Sequence, residues 1–287
     1  MAKGRELKGR IKSVENTKKI TRTLEMVATS KLKRAQDRAF AARPYANALA
    51  EVMGALYAPE LAERFPLLRQ PKEVRTAAVL LLTSNRGLCG AFNSNVIKEA
   101  RTLITRLEGQ GTAVELHAVG RKGIGYFKYV GRPLASQRTD LTDKPTAADA
   151  ASVVDDVMAG FAAGRLDAVY VVYAKFNSVI STPPTSERIL PVATPQKKGA
   201  VRDFILSPGP EEILSELLPL AVRNAVYRAL IEMAAGFQAA QRTAMKNATD
   251  NATDMLTALR RTYNRARQAQ ITQEIAEIVG GAAALSG

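Results

Sequence analysis

The 287 residues carry 41 Lys and Arg against 27 Asp and Glu, a formal charge of +14, with 46% hydrophobic and 24% charged residues. That balance excludes a disordered chain, and no apolar run approaches the roughly eighteen residues of a bilayer-spanning helix. The single cysteine, Cys89, and single histidine, His117, exclude an intrachain disulfide and a Cys/His metal site.

The charge is loaded at the front. Residues 1–43 hold thirteen bases and four acids, a net of +9, whereas the C-terminal segment is nearly neutral. A basic rod needs an acidic surface, which nucleic-acid phosphate, anionic lipid or protein carboxylates all supply. The N-terminus lacks an apolar h-region, and Glu6, Glu15 and Glu25 with few serines argue against an organellar transit peptide.

In chain order, residues 1–57 form the first expected helix. After Gly9 no glycine or proline intervenes until Pro44, and Leu7, Ile11, Val14, Ile20, Leu24, Val27, Ala28, Leu32 and Ala35 recur at helical spacing. Pro59, Pro66 and Pro71 end it and open a linker over residues 58–74. Residues 75–194 read as an α/β domain. Residues 76–83 and 167–175 have the near-continuous apolar runs of strands buried on both faces, and residues 113–119 form another strand. Helices are expected over residues 95–108, 125–129 and 145–163, with Gly120 and Gly123 opening the second. Pro183 and Pro184 make residues 182–192 an edge strand. A second linker, residues 195–210, carries Lys197-Lys198-Gly199 and precedes the C-terminal helix, in which Pro219 marks a kink near the start. From about residue 220 to residue 279 one glycine, Gly236, and no proline interrupt a stripe of Val222, Val226, Leu230, Met233, Phe237, Ala240, Ala244, Ala248, Ala252, Met255 and Leu259. At 1.5 Å per residue that helix is about 90 Å long and must pack on another long helix. The expected fold is therefore α/β: a long antiparallel coiled coil of residues 1–57 and 211–287 with a central Rossmann-like domain.

The chain offers little catalytic chemistry. The loop Ser84-Asn85-Arg86-Gly87-Leu88-Cys89-Gly90 matches neither the phosphate-cradling GxxxxGK[ST] pattern nor the three-glycine dinucleotide spacing, and reads as a structural turn. Cys89 lacks a general base, and His117 lies in an apolar strand pattern that suits packing. Asp155-Asp156 and Glu211-Glu212 read as solvated faces or helix-start charges. Between Met1 and Ala39 there is no Phe, Tyr or Trp, which weakens single-strand nucleic-acid binding, although a duplex-backbone binder built on a basic coiled coil remains the alternative reading.

Three stretches stand out together: Ile11-Lys12-Ser13-Val14-Glu15-Asn16-Thr17-Lys18-Lys19-Ile20-Thr21 with Glu25-Met26-Val27-Ala28-Thr29-Ser30-Lys31-Leu32, the turn from Ser84 to Asn93, and Ala244-Met245-Lys246-Asn247-Ala248-Thr249-Asp250-Asn251-Ala252 with the segment from Asn264 to Ala282. In this order they resemble the gamma subunit family of F-type ATP synthases. Leu24 stands where the family commonly has methionine, Asn85 where aspartate is usual, and Gln238 and Thr243 where glutamate and methionine are common. The resemblance implies a noncatalytic rotor shaft without cofactors, metal or nucleic acid. Its partners would be a ring of three alpha and three beta subunits, the epsilon subunit and the c-ring, at the cytoplasmic face of a bacterial plasma membrane. It implies that Arg267, Gln268 and Thr272 make catch contacts with beta and that Lys18, Lys19, Arg22 and Met26 face the ring. It also implies that the uncharged tip from Ala282 to Leu285 turns in an apolar sleeve.

Overall fold

The computed structural model describes residues 2–56, 64–192 and 209–285. The expected helix end at Tyr57 with Pro59, and the Lys197-Lys198-Gly199 linker, lie outside the described residues. The chain divides into two compact units, Met1–Ala28 with Arg242–Gly287, and Thr29–Gln241. Helix α1, Ala2–Leu56, and helix α5, Pro210–Leu285, each contribute to both. Pro44 and Pro219 lie inside these helices.

The unit Thr29–Gln241 is built on five strands, β1 (Thr76–Leu82), β2 (Ala113–Val119), β3 (Ser136–Arg138), β4 (Ala168–Ala174) and β5 (Pro184–Leu190), in the order β3-β2-β1-β4-β5. β1 pairs in parallel with β2 and β4, β2 with β3, and β5 runs antiparallel at the edge, where Pro184 costs no ladder bond on its open side. Ala77 to Leu82 are fully buried, which explains their unbroken apolar run: the central strand is covered on both faces. Helices α2 (Phe92–Gly109), α3 (Arg121–Tyr129) and α4 (Ala147–Ala162) join the parallel strands. Thr146 starts α4 with a capping box, its side chain accepting from Asp149 N while the Asp149 carboxylate accepts from Thr146 N at 2.8 Å. β3 was not expected. Its sequence, Ser-Gln-Arg, has no apolar pattern, and it is a strand because its backbone pairs with His117, Ala118 and Val119.

One buried cluster joins the sheet to the long helices of this unit, taking in Leu49, Met53 and Leu56 of α1 and Leu214, Leu218, Val222, Val226, Leu230 and Phe237 of α5. The expected α5 stripe is therefore buried up to Phe237. A second cluster packs Leu32 and Ala35 of α1 on Ala235 and Ala239 of α5 and on Phe176.

In the unit of Met1–Ala28 and Arg242–Gly287, α1 and α5 run antiparallel, Glu15 pairing with Arg260 at 2.6 Å and Thr21 with Thr249 at 2.9 Å. The seam departs from the expected stripe. Ile20 is 61% exposed and Val27 46% exposed, while Thr21, outside the expected stripe, is buried beside the expected Ala28. On α5 the buried positions are Met245, Thr249, Ala252 and Leu256; Ala244 and Ala248 are half-buried and Met255 points outward. The reason is chemical. A threonine can occupy a buried seam when its hydroxyl is satisfied, and Thr21 Oγ1 both donates to Lys18 O and accepts from Thr249 Oγ1.

Candidate partner-contact surface

The seven expected contact residues all lie in the unit of the paired helix ends, where they form two patches. Lys18, Arg22 and Met26 recur every four residues on α1 and so share a face with Lys19. Lys18 is half-buried, whereas Lys19, Arg22 and Met26 are exposed. Arg22 donates to Glu25 at 3.0 Å, which orients its guanidinium along the helix. Arg267, Gln268 and Thr272 are exposed on α5, with Thr272 Oγ1 donating to Gln268 O at 3.0 Å. The Glu15–Arg260 pair fixes the register. Arg267 lies beyond it in one direction and Lys18 in the other, so the patches are separated by about 15 Å of helix rise. The structure does not bring the two sets into one site.

Beyond Arg267 every residue from 271 to 282 is exposed. Ile271, Ile275, Ile278 and Val279 recur at i, i+4, i+7 and i+8, an apolar stripe along one face of an uncovered helix. The side chains of Ala283 to Leu285, part of the expected sleeve segment, lie outside the described residues. The stripe's signal was its spacing, which in sequence is indistinguishable from a buried seam. Ile20 and Val27 beside Met26 likewise add an outward apolar face to the basic patch of α1.

The turn after β1 is used internally. Asn85 Nδ2 donates to the carbonyls of Thr139 and Leu141 at 2.9 and 3.0 Å, and its Oδ1 accepts from Arg121 N at 3.0 Å. The next two amides of α3 are also taken, Lys122 N by Ser84 O at 3.3 Å and Gly123 N by Thr83 Oγ1 at 2.9 Å. The helix N-terminus that could hold an anion is thus capped by the neighbouring loop. Leu88 at φ 61° and Gly90 at φ 56° turn the chain there. Residues Leu230, Met233, Ala234 and Phe237 of α5 line the other side of this crevice, leaving about 30 Å³, far below the several hundred Å³ of a small-molecule site.

The isolated candidate groups are structural too. Cys89 is buried, which pushes its thiol up, and Asn93 Nδ2 stands 3.3 Å from its sulfur. His117 is lowered by burial; Nδ1 shares a hydrogen bond with Ser136 at 2.8 Å while Nε2 has no hydrogen-bond partner. Asp155 and Asp156 lie within α4, away from its start, on a solvent-facing side where Asp156 is exposed and Asp155 takes a two-pronged bond from Arg223 of α5 at 2.8 and 2.9 Å. Glu211 and Glu212 do occupy the first turn of α5, and Glu211 pairs with Arg64. Among the described residues no group of three or more His, Cys, Asp or Glu could hold a metal, and no helix is long and apolar enough to cross a membrane.

A mixed α/β sheet whose core is shared with two long terminal helices defines a class of helix–domain–helix proteins. The chain belongs to the ATP synthase family, whose sequence profile matches residues 3–285. It is 68% identical to the ATP synthase gamma chain of Gemmatimonas aurantiaca over 290 residues and 40% identical to that of Leptospira biflexa over 289, with 100% of both chains covered in each case. Among solved structures it is similar to a chain in the central stalk and c-ring of the Tetrahymena thermophila mitochondrial ATP synthase, with a TM-score of 0.63 and 25% identity over 80% of this chain and 99% of that one. A chain in the OSCP, F1 and c-ring assembly of the Euglena gracilis mitochondrial ATP synthase, in rotational state 3, shares the fold, with a TM-score of 0.69 and 20% identity over 99% of this chain and 95% of that one.

Proposed function

We propose that this chain is the central rotor shaft of an F-type ATP synthase, coupling proton-driven rotation of the c-ring to the conformational cycle of the catalytic beta subunits while catalysing nothing itself. The observation that carries this reading is the full-length identity to gamma chains of bacterial relatives. Neither the family match nor the relatives support the nucleic-acid alternative.

The mechanism follows from asymmetry. Two helices of different sequence present a different face in each direction, so a shaft turning among three chemically identical sites makes different contacts with each. A site's equilibrium between open and closed states shifts only by the difference in contact energy between those states, which the rotating patches supply. Arg267, Gln268 and Thr272 offer a guanidinium, an amide and a hydroxyl for carboxylate-bearing loops of beta. The patch of Lys18, Lys19, Arg22 and Met26 gives a second contact at another level. The stripe of Ile271, Ile275, Ile278 and Val279 suits an apolar sleeve, since apolar contact is non-directional and lets a surface turn. The α/β domain then meets epsilon and the c-ring, and the chain sits peripherally at the cytoplasmic face of the bacterial plasma membrane.

The test is size-exclusion chromatography of the purified chain with the alpha and beta subunits of its own organism at about 0.3 M salt, where exposed charge attraction is strongly screened. Co-elution as one chain per three alpha and three beta supports the shaft. Separate elution overturns it.

A further inference from the structure

Four parts of the unit Thr29–Gln241 meet at one carboxylate. Asp143, in the connection between β3 and α4, accepts at Oδ2 from Lys31 Nζ of α1 at 3.1 Å, from the Arg86 guanidinium of the β1–α2 loop, and from Gln238 Nε2 of α5 at 3.5 Å. Arg86 also lays its guanidinium over the Phe237 ring of α5, 5.7 Å from the centroid, and Phe237 packs edge-on against Phe92 of α2. The loop carrying Asp143 is itself held, because Asn85 ties the carbonyls of Thr139 and Leu141 to the β1–α2 loop. Gln238 is only 2% exposed, so its amide is aimed by packing. Burial alone would raise the Asp143 carboxyl, but the bonds from Lys31 and Arg86 hold it below its ordinary value, so it is ionised at neutral pH.

The surrounding core resists separation of the helices from the sheet by non-directional burial, and charge-assisted hydrogen bonds add a directional constraint against sliding. Donors from α1, from α5 and from the sheet's own loop converge on one oxygen, so a twist of either helix against the sheet must stretch or bend at least one of these bonds. We propose that Asp143 is a positioning residue that fixes the α/β domain to both long helices against twist, so that rotation delivered to the domain reaches the helices without slack. This rests on the rotor reading.

The experiment uses the complex assembled from the chain and the alpha, beta, epsilon and membrane subunits of its organism, with the ring immobilised and a probe on the α/β domain. The angular distribution of the probe is recorded in stalled complexes, together with protons pumped per ATP hydrolysed, for Asp143→Asn, Asp143→Ala and Lys31→Met. Glu108→Gln serves as the control, since it removes the ion pair with Arg132 without touching either long helix. The expected result is a wider angular distribution and a lower pumping ratio in the Asp143 and Lys31 variants, with hydrolysis retained and the control unchanged. Lys31→Met keeps the proposal testable if an Asp143 variant does not fold, because Lys31 is partly exposed. Assembly with unchanged widths in the variants overturns the role of Asp143 alone. Failure of the wild-type chain to assemble overturns the rotor reading.

Discussion

Thr21 and Thr249, 228 positions apart in the chain, share a 2.9 Å hydrogen bond between two buried hydroxyls. Thr249→Val should cost about 1 kcal/mol, the net value of one such bond. Thr21→Val with Thr249→Val should cost less than the sum of the single changes, because each hydroxyl is then lost together with its partner. Thermal unfolding of the four proteins in a double-mutant cycle measures the coupling. Strict additivity would mean the contact contributes nothing.

Gly120 adopts φ 95°, and a Cβ placed there would stand 2.0 Å from the carbonyl oxygen of Thr83. Gly120→Ala should therefore destabilise the chain by more than about 3 kcal/mol, combining backbone strain with a clash against backbone that cannot rotate away. Gly125→Ala, where a Cβ meets nothing within 4 Å, is the matching tolerated change. Chemical denaturation of both variants separates the two cases.

Glu232 is buried on α5 and accepts from Phe176 N at 3.1 Å. Burial raises its carboxyl above the ordinary 4.5, against the pull of Arg228 and Lys175. A raised folded value means the stabilising protonated form is fully present below 4.5 and lost as pH rises through the folded value, so at neutral pH the fold carries a costly charge. Glu232→Gln keeps an acceptor for Phe176 N. It should raise the melting temperature at pH 7, with the gain shrinking towards pH 4, and a pH series of melting curves reads this directly.

Arg267→Ala with Gln268→Ala removes two exposed side chains that bear on no core, so the isolated chain should melt as before. In the assembled complex, coupled ATPase should fall roughly tenfold, the effect of losing one charge-assisted contact of about 1.4 kcal/mol. Unchanged turnover would remove these residues from the contact set.

Ile275→Ser with Ile278→Ser should likewise leave the melting of the isolated chain alone, since Ile278 is 72% exposed. If the stripe runs in an apolar sleeve, the same pair should weaken retention of the chain in the complex on size-exclusion at low concentration. Equal retention would mean the stripe faces solvent there too.

Much of the fold was legible because prolines, glycines and apolar periodicity are local signals: the run from Ala77 to Leu82, the prolines at 183 and 184, and the uninterrupted helix through Gly236 all state their environment in their own residues. β3 was not legible, since Ser136, Gln137 and Arg138 are a strand only through pairing with β2. The seam holds the expected Ala28 and Ala252 but takes Thr21 in place of Ile20 and Leu256 in place of Met255, because a buried threonine looks polar and an exposed isoleucine looks buried. The separation between the residues around Arg22 and those around Arg267 was not legible, because it depends on a register set by Glu15 and Arg260. Asn85 and Gln238 became intelligible only with their partners: each donates from an amide, a bond a carboxylate could not make.

The crevice beyond β1 and β2 is filled from within the chain. Leu230, Met233 and Phe237 of α5 line it and are held there by the buried cluster to which they belong. A free nucleotide arriving at this end of the sheet would have to displace a helix and strip Thr83, Ser84 and Asn85 from the amides of α3 before making its first contact. One face of a helix from the same chain thus fills this end of the sheet, and the apolar area buried there keeps that helix in place.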